Sequence, residues 1–257
     1  MDFLNAVILG IVEGFSEFLP ISSTGHLILA VRALGLTQTE FLKTFEIAIQ
    51  LGAILAVAIL YWRSLLADWP TIKRVLTAFI PTGIIGLIFY KTVKEFLLNS
   101  TQTVIWSLLI GGAALIIFEL FYKEKDEAVG ETGRISYWQS ALIGVFQSLA
   151  IIPGVSRAAA TIVGGLALGL KRKTIVEFSF LLAVPTMLAA TGLDLIKSAS
   201  EFSLTQWDWL GIGFLVSFLV ALASIKFLLN FIKKHNFIPF GIYRIALALV
   251  FWLVILS

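Results

Sequence analysis

The sequence predicts an all-α polytopic membrane protein made of two inverted-topology repeats, each a re-entrant helical hairpin followed by three transmembrane helices. Three observations carry this. Mean hydropathy is +0.97 and only 14% of the residues are charged, against about 25% in soluble domains. Six apolar runs, at about 45–61, 75–91, 102–121, 176–196, 209–230 and 238–256, approach the length that crosses a bilayer, roughly 17–25 residues. Two other apolar regions break too early, and they resemble each other.

Residues 3–19 carry Glu13 and Glu17 and stop at Pro20, and the apolar piece after it, 27–36, is short. Residues 138–152 stop at Pro153, and the piece 158–170 is again short. Short helices joined by a Pro/Gly/Ser turn suggest a re-entrant hairpin, because irregular backbone at membrane depth survives only where protein or a water-filled cavity satisfies it. "LGIVEGFSEFLPISSTGH" aligns with "IGVFQSLAIIPGVSR": Gly10 pairs with Gly144 and Glu13 with Gln147. After a one-residue slip, Pro20 pairs with Pro153 and Ser23 with Ser156. "ALGL" recurs at 33–36 and 167–170, and "FEIAIQLGA" from Phe45 faces "FSFLLAVPT" from Phe178. One membrane domain, 1–257, is therefore expected, with repeats at about 1–121 and 137–256 around a solvated polar loop at about 122–136.

Three spans per repeat is an odd number, so the second repeat is inverted and the two hairpin tips meet near the midplane. Loops on one side hold Arg63, Lys73, Arg74, Lys123, Lys125, Arg134, Lys171, Arg172, Lys173, Lys226, Lys233 and Lys234; the other side holds Arg32, Lys43, Lys91, Lys94 and Lys197. The richer side is cytoplasmic by the positive-inside rule, which puts both termini outside. Met1-Asp2-Phe3 offers no basic n-region, so no cleavable signal peptide is expected. The chain has no cysteine, which excludes disulfides, thiol nucleophiles and cysteine metal sites. A net charge of +3 is no nucleic-acid footprint.

The chemistry concentrates at the breaks. Glu13 and Glu17 are four apart and share a helix face; carboxylates at membrane depth usually mark a site, the alternative being an interfacial helix with a wet polar face. Ser22, Ser23 and Thr24 are good N-cap residues and Gly25 allows close approach. A helix start there presents free N–H groups and a positive dipole end, which suits an anion, with His26 in its first turn. A lone histidine is commonly a structural hydrogen-bonder; two carboxylates and three hydroxyls nearby favour chemistry. In the second tip Pro153 and Gly154 break the chain, Ser156 can cap, and Arg157 follows. Arg157 can pair with Glu17 alone or clamp a phosphate. Two glutamates beside a phosphate suggest a divalent cation, or a general base with its orienting partner. Gln147, Ser156 and Thr161 are secondary candidates. Glu46 and Gln50 share a face and can line a cavity or cap an interfacial helix end. Arg244 and Lys226 are expected to snorkel toward headgroups.

These residues resemble the undecaprenyl-pyrophosphate phosphatase family, the bacitracin-resistance type of integral membrane phosphatase. Its P-x-S-S-T-G-H signature stands here as Pro20-Ile21-Ser22-Ser23-Thr24-Gly25-His26 after Glu13 and Glu17. Its P-G-x-S-R-S-G-x-T stands as Pro153-Gly154-Val155-Ser156-Arg157-Ala158-Ala159-Ala160-Thr161. "FEIAIQLGAILAV", "EFSFLLAVP" and "FIPFGIYR" extend the likeness over nearly the whole chain. Ala158-Ala159 replaces the family's Ser-Gly, so a hydroxyl at 158 takes no part here.

The resemblance implies hydrolysis of undecaprenyl diphosphate to undecaprenyl phosphate and inorganic phosphate, recycling the lipid carrier of cell-wall synthesis. It implies a bacterial plasma-membrane enzyme open to the outer, periplasmic face and helped by Mg²⁺ or Ca²⁺. Its catalytic set maps to Glu17, Ser23, His26 and Arg157, with Ser22, Thr24, Gly25, Gly154, Ser156, Thr161 and Gln147 binding substrate and Glu13 and Glu17 holding metal. Expected partners are the polyprenyl diphosphate and membrane lipids, with no nucleic acid; a homodimer stays open. The nucleophile is Ser23, His26 or water. Other readings are a secondary transporter or polyprenyl-phosphate flippase with a midplane anion site, and an intramembrane serine protease built on Ser23 and His26.

Overall fold

The structure, a computed structural model, describes residues 1–96, 101–198 and 204–256, with side chains over 1–89, 101–191 and 206–253. The side chains of Lys91, Lys94 and Lys197, used in the charge count above, lie outside the described residues. Eleven helices follow one another among the described residues: α1 Phe3–Ser16, α2 Ser23–Ala33, α3 Glu40–Leu60, α4 Trp62–Leu66, α5 Trp69–Phe96, α6 Thr101–Phe121, α7 Tyr137–Ser148, α8 Arg157–Ala167, α9 Arg172–Ser198, α10 Leu204–Phe231 and α11 Ile238–Leu256. Five have the length and apolarity to cross a membrane: α3, α5 over Trp69–Phe89, α6, α9 over Arg172–Thr191 and α10 over Gln206–Phe231. Five such helices in one chain make a multi-pass integral membrane protein. The sixth expected span is α11, a helix of 19 residues.

α1, α2, α7 and α8 have 14, 11, 12 and 11 residues. At about 1.5 Å of rise per residue, none covers the roughly 30 Å hydrocarbon core. α1 stops at Ser16, before the expected 19, and residues 17–20 form a turn. α7 stops at Ser148, and a 3₁₀ turn, Leu149–Ile151, precedes Pro153. Both helices end short of their prolines because the residue before a proline is pushed out of the α region and the proline offers no N–H to continue the ladder.

α1 packs along α10 and α7 packs along α5; α3 lies against α9 and α10, and α6 against α11. The main core gathers Phe18 of the first turn with Phe178 and Phe180 of α9, and Phe18 meets Phe180 edge-on at 5.4 Å. One end of the bundle is tied by the bidentate Arg172–Glu119 pair, by Phe237 N–H donating to Glu119 Oε1 at 3.2 Å, and by Thr71 and Thr132 hydroxyls 2.9 Å apart. At the other end Phe41 meets Trp209 at 6.2 Å and Trp106 meets Trp252 at 5.7 Å. Exposed tryptophans ring both ends, Trp62, Trp69 and Trp138 at the first and Trp106, Trp207 and Trp252 at the second, as interface belts do.

Two expectations change. The polar loop is solvated over 123–127 but anchored beyond: Val129 N–H donates to Gly169 O and Lys171 N–H to Val129 O, both at 3.0 Å, Arg74 Nε donates to Ile135 O at 3.0 Å, and Ile135 is buried. Arg244 does not snorkel. Its side chain is wholly buried, because main-chain carbonyls inside the bundle solvate the guanidinium and remove the need to reach a headgroup. Lys226 is exposed.

Candidate active site

Each short helix pair turns through a serine. Ser22 has φ 73°, ψ 95°, and its Oγ accepts from Gly25 N–H at 3.4 Å. Ser156 has φ 74°, ψ 112°, and its Oγ accepts from Ala159 N–H at 3.2 Å. These are the two non-glycine residues at positive φ among the described residues, a conformation that costs of order 1–3 kcal/mol and persists only where the surroundings enforce it. Gly154 (φ 91°) precedes the second serine, and a Cβ there would stand 2.9 Å from Val104 O and Ser107 Cβ of α6. The turn therefore has both a conformational and a steric need for glycine. Ser22 and Ser156 cap α2 and α8, and the first-turn N–H groups of those helices gather where the tips meet.

A hydrogen-bonded chain joins the tips. Ser23 Oγ donates to Glu17 Oε2 at 2.5 Å. Arg157 Nη2 donates to Glu17 Oε1 at 3.1 Å, across 140 residues of sequence. Arg157 Nη1 donates to Ser179 O of α9 at 2.7 Å, and Arg157 Nε is buried with no partner. The guanidinium pairs with Glu17 and keeps unspent donor capacity.

A cavity of about 770 Å³ opens on this chain. Glu17, Ser22, Ser23 and Thr24 line it from the first tip, and Gly154, Ser156 and Arg157 from the second. Gln50, Thr82, Gln147 and Thr186 add polar groups, and Phe79, Leu87, Ile151 and Met187 add apolar wall. Gln147 is held by its neighbours: its Nε2 donates to Thr82 and Thr186 hydroxyls at 3.2 and 3.0 Å, and its Oε1 lies 3.3 Å from Thr161 Oγ1, whose single proton is closer to Arg157 O at 2.8 Å. Thr161 thus stands behind Gln147 rather than in the cavity wall. Gly25 backs onto Leu108 of α6.

His26 is placed differently from its sequence neighbours. Its Nδ1 lies 2.7 Å from Ser22 O, and its Nε2 lies 2.7 Å from the Tyr243 hydroxyl. A carbonyl only accepts, so Nδ1 carries the proton and Nε2 accepts from Tyr243 in the neutral ring. The two rings stack with centroids 5.4 Å apart. The ring nitrogens of His26 bond Ser22 O and Tyr243 rather than Ser23 or Glu17; it braces the Ser22 turn from the side of α11.

Glu13 is completely buried and neither carboxylate oxygen has a hydrogen-bond partner. Glu17, Glu46 and Arg157 are the charged groups that act on it. An orphaned buried carboxylate requires a proton or a cation. Among the described residues no three His, Asp or Glu side chains converge as a cage. Glu13 and Glu17 are oxygen donors of the kind a divalent ion takes, too few for a complete protein cage.

The sequence passed over Thr82, Thr186, Ser179 and Tyr243 as site residues. Lone hydroxyls on apolar spans carry no pattern that marks them. Gln50 was visible as the partner of Glu46 on one face of α3, and it is Gln50 that reaches the cavity.

The profile of the bacitracin resistance protein BacA family matches residues 6–250. The chain is 55% identical over 253 residues to the undecaprenyl-diphosphatase of Sulfurihydrogenibium sp. (strain YO3AOP1), covering 98% of this chain and 99% of that one. It is 53% identical over 247 residues to the undecaprenyl-diphosphatase of Aquifex aeolicus (96% of each chain) and 50% identical over 256 residues to that of Persephonella marina (100% of each). With the match spanning both hairpins and every helix between them, the chain belongs to the bacitracin resistance protein BacA family.

Proposed function

We propose that this protein hydrolyses undecaprenyl diphosphate to undecaprenyl phosphate and inorganic phosphate, which regenerates the lipid carrier and confers bacitracin resistance. The carrying observation is the Ser23–Glu17–Arg157 chain across the two tips, at the wall of a cavity with a polar floor and apolar flanks. Arg157 and the helix starts at 22–26 and 156–159 hold the diphosphate. Ser23 Oγ attacks the terminal phosphorus as Glu17 takes its proton; the anhydride bond breaks and undecaprenyl phosphate leaves. Glu17 passes that proton to bulk water; a water molecule then attacks the phosphoseryl phosphorus, Glu17 takes its proton and returns it to Ser23 Oγ as the bond from phosphorus to the serine oxygen breaks and phosphate departs. Most of the barrier reduction comes from positioning and charge stabilisation. A divalent cation held by Glu13 and Glu17 would add charge neutralisation on the phosphates. His26 acts through the Ser22 turn. Every group in this scheme comes from one chain, so a homodimer is not required.

The Ser23–Glu17 contact favours an enzyme over a transporter or flippase, which needs an anion site but no base on a serine. The test is phosphate release from detergent-purified protein, beside Ser23→Ala and Glu17→Gln. Losses of about 10²–10⁴-fold in both support the scheme, and near-normal turnover in Ser23→Ala would remove the serine nucleophile.

The topology belongs to the same reading. α1 pairs with α7, α2 with α8, α3 with α9, α5 with α10 and α6 with α11, so two repeats interlock within a single membrane domain. Two features support this: the matched strained serine caps, and the exchange whereby α1 packs on α10 as α7 packs on α5. The end carrying Arg63, Arg74, Lys125, Arg134 and Arg172 is cytoplasmic by its basic excess, so both termini and the cavity mouth face the periplasm.

A further inference from the structure

Arg244 is a cation at membrane depth with zero exposure, and among the described residues it forms no ion pair. Such a group is costly and normally has a function. Its Nη1 donates to Val155 O at 3.0 Å and, at longer range, to Pro20 O at 3.5 Å. Its Nη2 donates to Gly154 O and Ser107 O, both at 2.9 Å. Pro20 lies two residues before the strained Ser22, and Gly154 and Val155 immediately precede the strained Ser156. One side chain therefore holds both turns. The room it needs comes from α6: a Cβ on Gly111 would collide with Arg244 Nη2. Tyr243, the preceding residue, holds His26 and with it the Ser22 carbonyl.

We propose that Arg244 is a positioning residue that locks the two hairpin turns against each other and aims the Ser156 backbone N–H into the cavity. A trans peptide is planar, with C=O and the next N–H pointing opposite ways. With Val155 O drawn onto Arg244, which is outside the cavity wall, Ser156 N–H turns toward the cavity that Ser156 lines. A rigid planar fork is required, because carbonyls on two different turns must be engaged together. A lysine ammonium is a point charge on a flexible stem and cannot span them. That the Ser156 N–H meets a phosphate rests on the diphosphatase reading; that Arg244 sets the geometry of the turns does not.

The test uses the full-length protein in detergent as wild type, Arg244→Gln, Arg244→Lys and Gly111→Ala, which keeps the charge but displaces the fork. Arg172→Met, remote from the site, serves as a destabilised control. Phosphate release from undecaprenyl diphosphate gives kcat and KM, thermal melting gives stability, and amide hydrogen exchange reads the turns directly. The expected result for Arg244→Gln is a kcat reduced about 100-fold with KM within about threefold, as misplacement by about 1 Å produces. Arg244→Lys restores only part of the rate. Exchange speeds up at 21–26 and 155–160 and stays unchanged in α5 and α10. Wild-type kcat and exchange in Arg244→Gln would overturn the proposal, as would an equal kcat loss in Arg172→Met at the same melting shift. If Arg244→Gln does not fold, Gly111→Ala decides: unchanged kcat and exchange there overturn it. If wild type releases no phosphate, the enzyme reading fails while the exchange comparison still decides the clamp.

Discussion

At Glu17 two demands meet on one carboxylate. Oε2 takes the Ser23 hydroxyl and Oε1 takes Arg157, so replacing it disturbs base and clamp together, whereas Arg157→Lys disturbs the clamp alone. Arg157→Lys is expected to lose about 10²-fold in kcat/KM, because an ammonium cannot bond Glu17, Ser179 O and a phosphate as the guanidinium fork does. Steady-state phosphate release over a lipid-substrate titration checks this, and a kcat/KM within about threefold of wild type would contradict it. Gly154→Ala forces a Cβ into a left-handed conformation, about 1–2 kcal/mol, and against Val104 O and Ser107 Cβ. A lower melting temperature together with lost turnover is expected, since the strained turn carries Ser156 into the cavity.

At the scale of the element, the Arg172–Glu119 clasp is a separable part. Glu119 has no side-chain exposure, so Arg172→Met leaves a buried carboxylate held only by Phe237 N–H. Breaking a buried pair this way costs about 3–5 kcal/mol. Melting should fall by several degrees while kcat, measured well below the midpoint, stays near wild type; lost activity in a folded variant would place the clasp in the catalytic machinery. The broken helices were legible in the sequence because proline interrupts a helix locally and predictably, and Pro20 and Pro153 did so. The Glu17–Arg157 meeting was legible because charges in a membrane must find each other. Arg244 was misread for a physical reason: its partners are backbone carbonyls, which every residue has and no side-chain pattern announces. The partners of His26 were not legible: Ser23 opens α2 facing Glu17, while the ring leans back to the Ser22 carbonyl and across to Tyr243, 217 residues away.

For the whole molecule, the orientation rests on basic residues at one end of the bundle. The absence of native cysteine makes this directly measurable. Lys125→Cys should react with an impermeant maleimide only after the membrane is opened, and Lys43→Cys should react in intact spheroplasts; the reverse pattern would invert the topology. The proposed interlocking of two repeats carries a catalytic consequence, since on that reading each tip is braced by helices of both repeats. Ser23 and Glu17 arrive from one half and Arg157 from the other, so neither half holds a site.

The central claim is that two hairpin tips form one diphosphatase site, and its most direct measurement is inorganic phosphate release from undecaprenyl diphosphate by purified wild type, Glu17→Gln and Arg157→Ala, with the double variant. Robust release by wild type and a double variant no worse than the more damaged single variant are predicted, because residues that act as a unit are strongly non-additive. Release that survives in Arg157→Ala, or losses that simply multiply in the double variant, would contradict a single shared site.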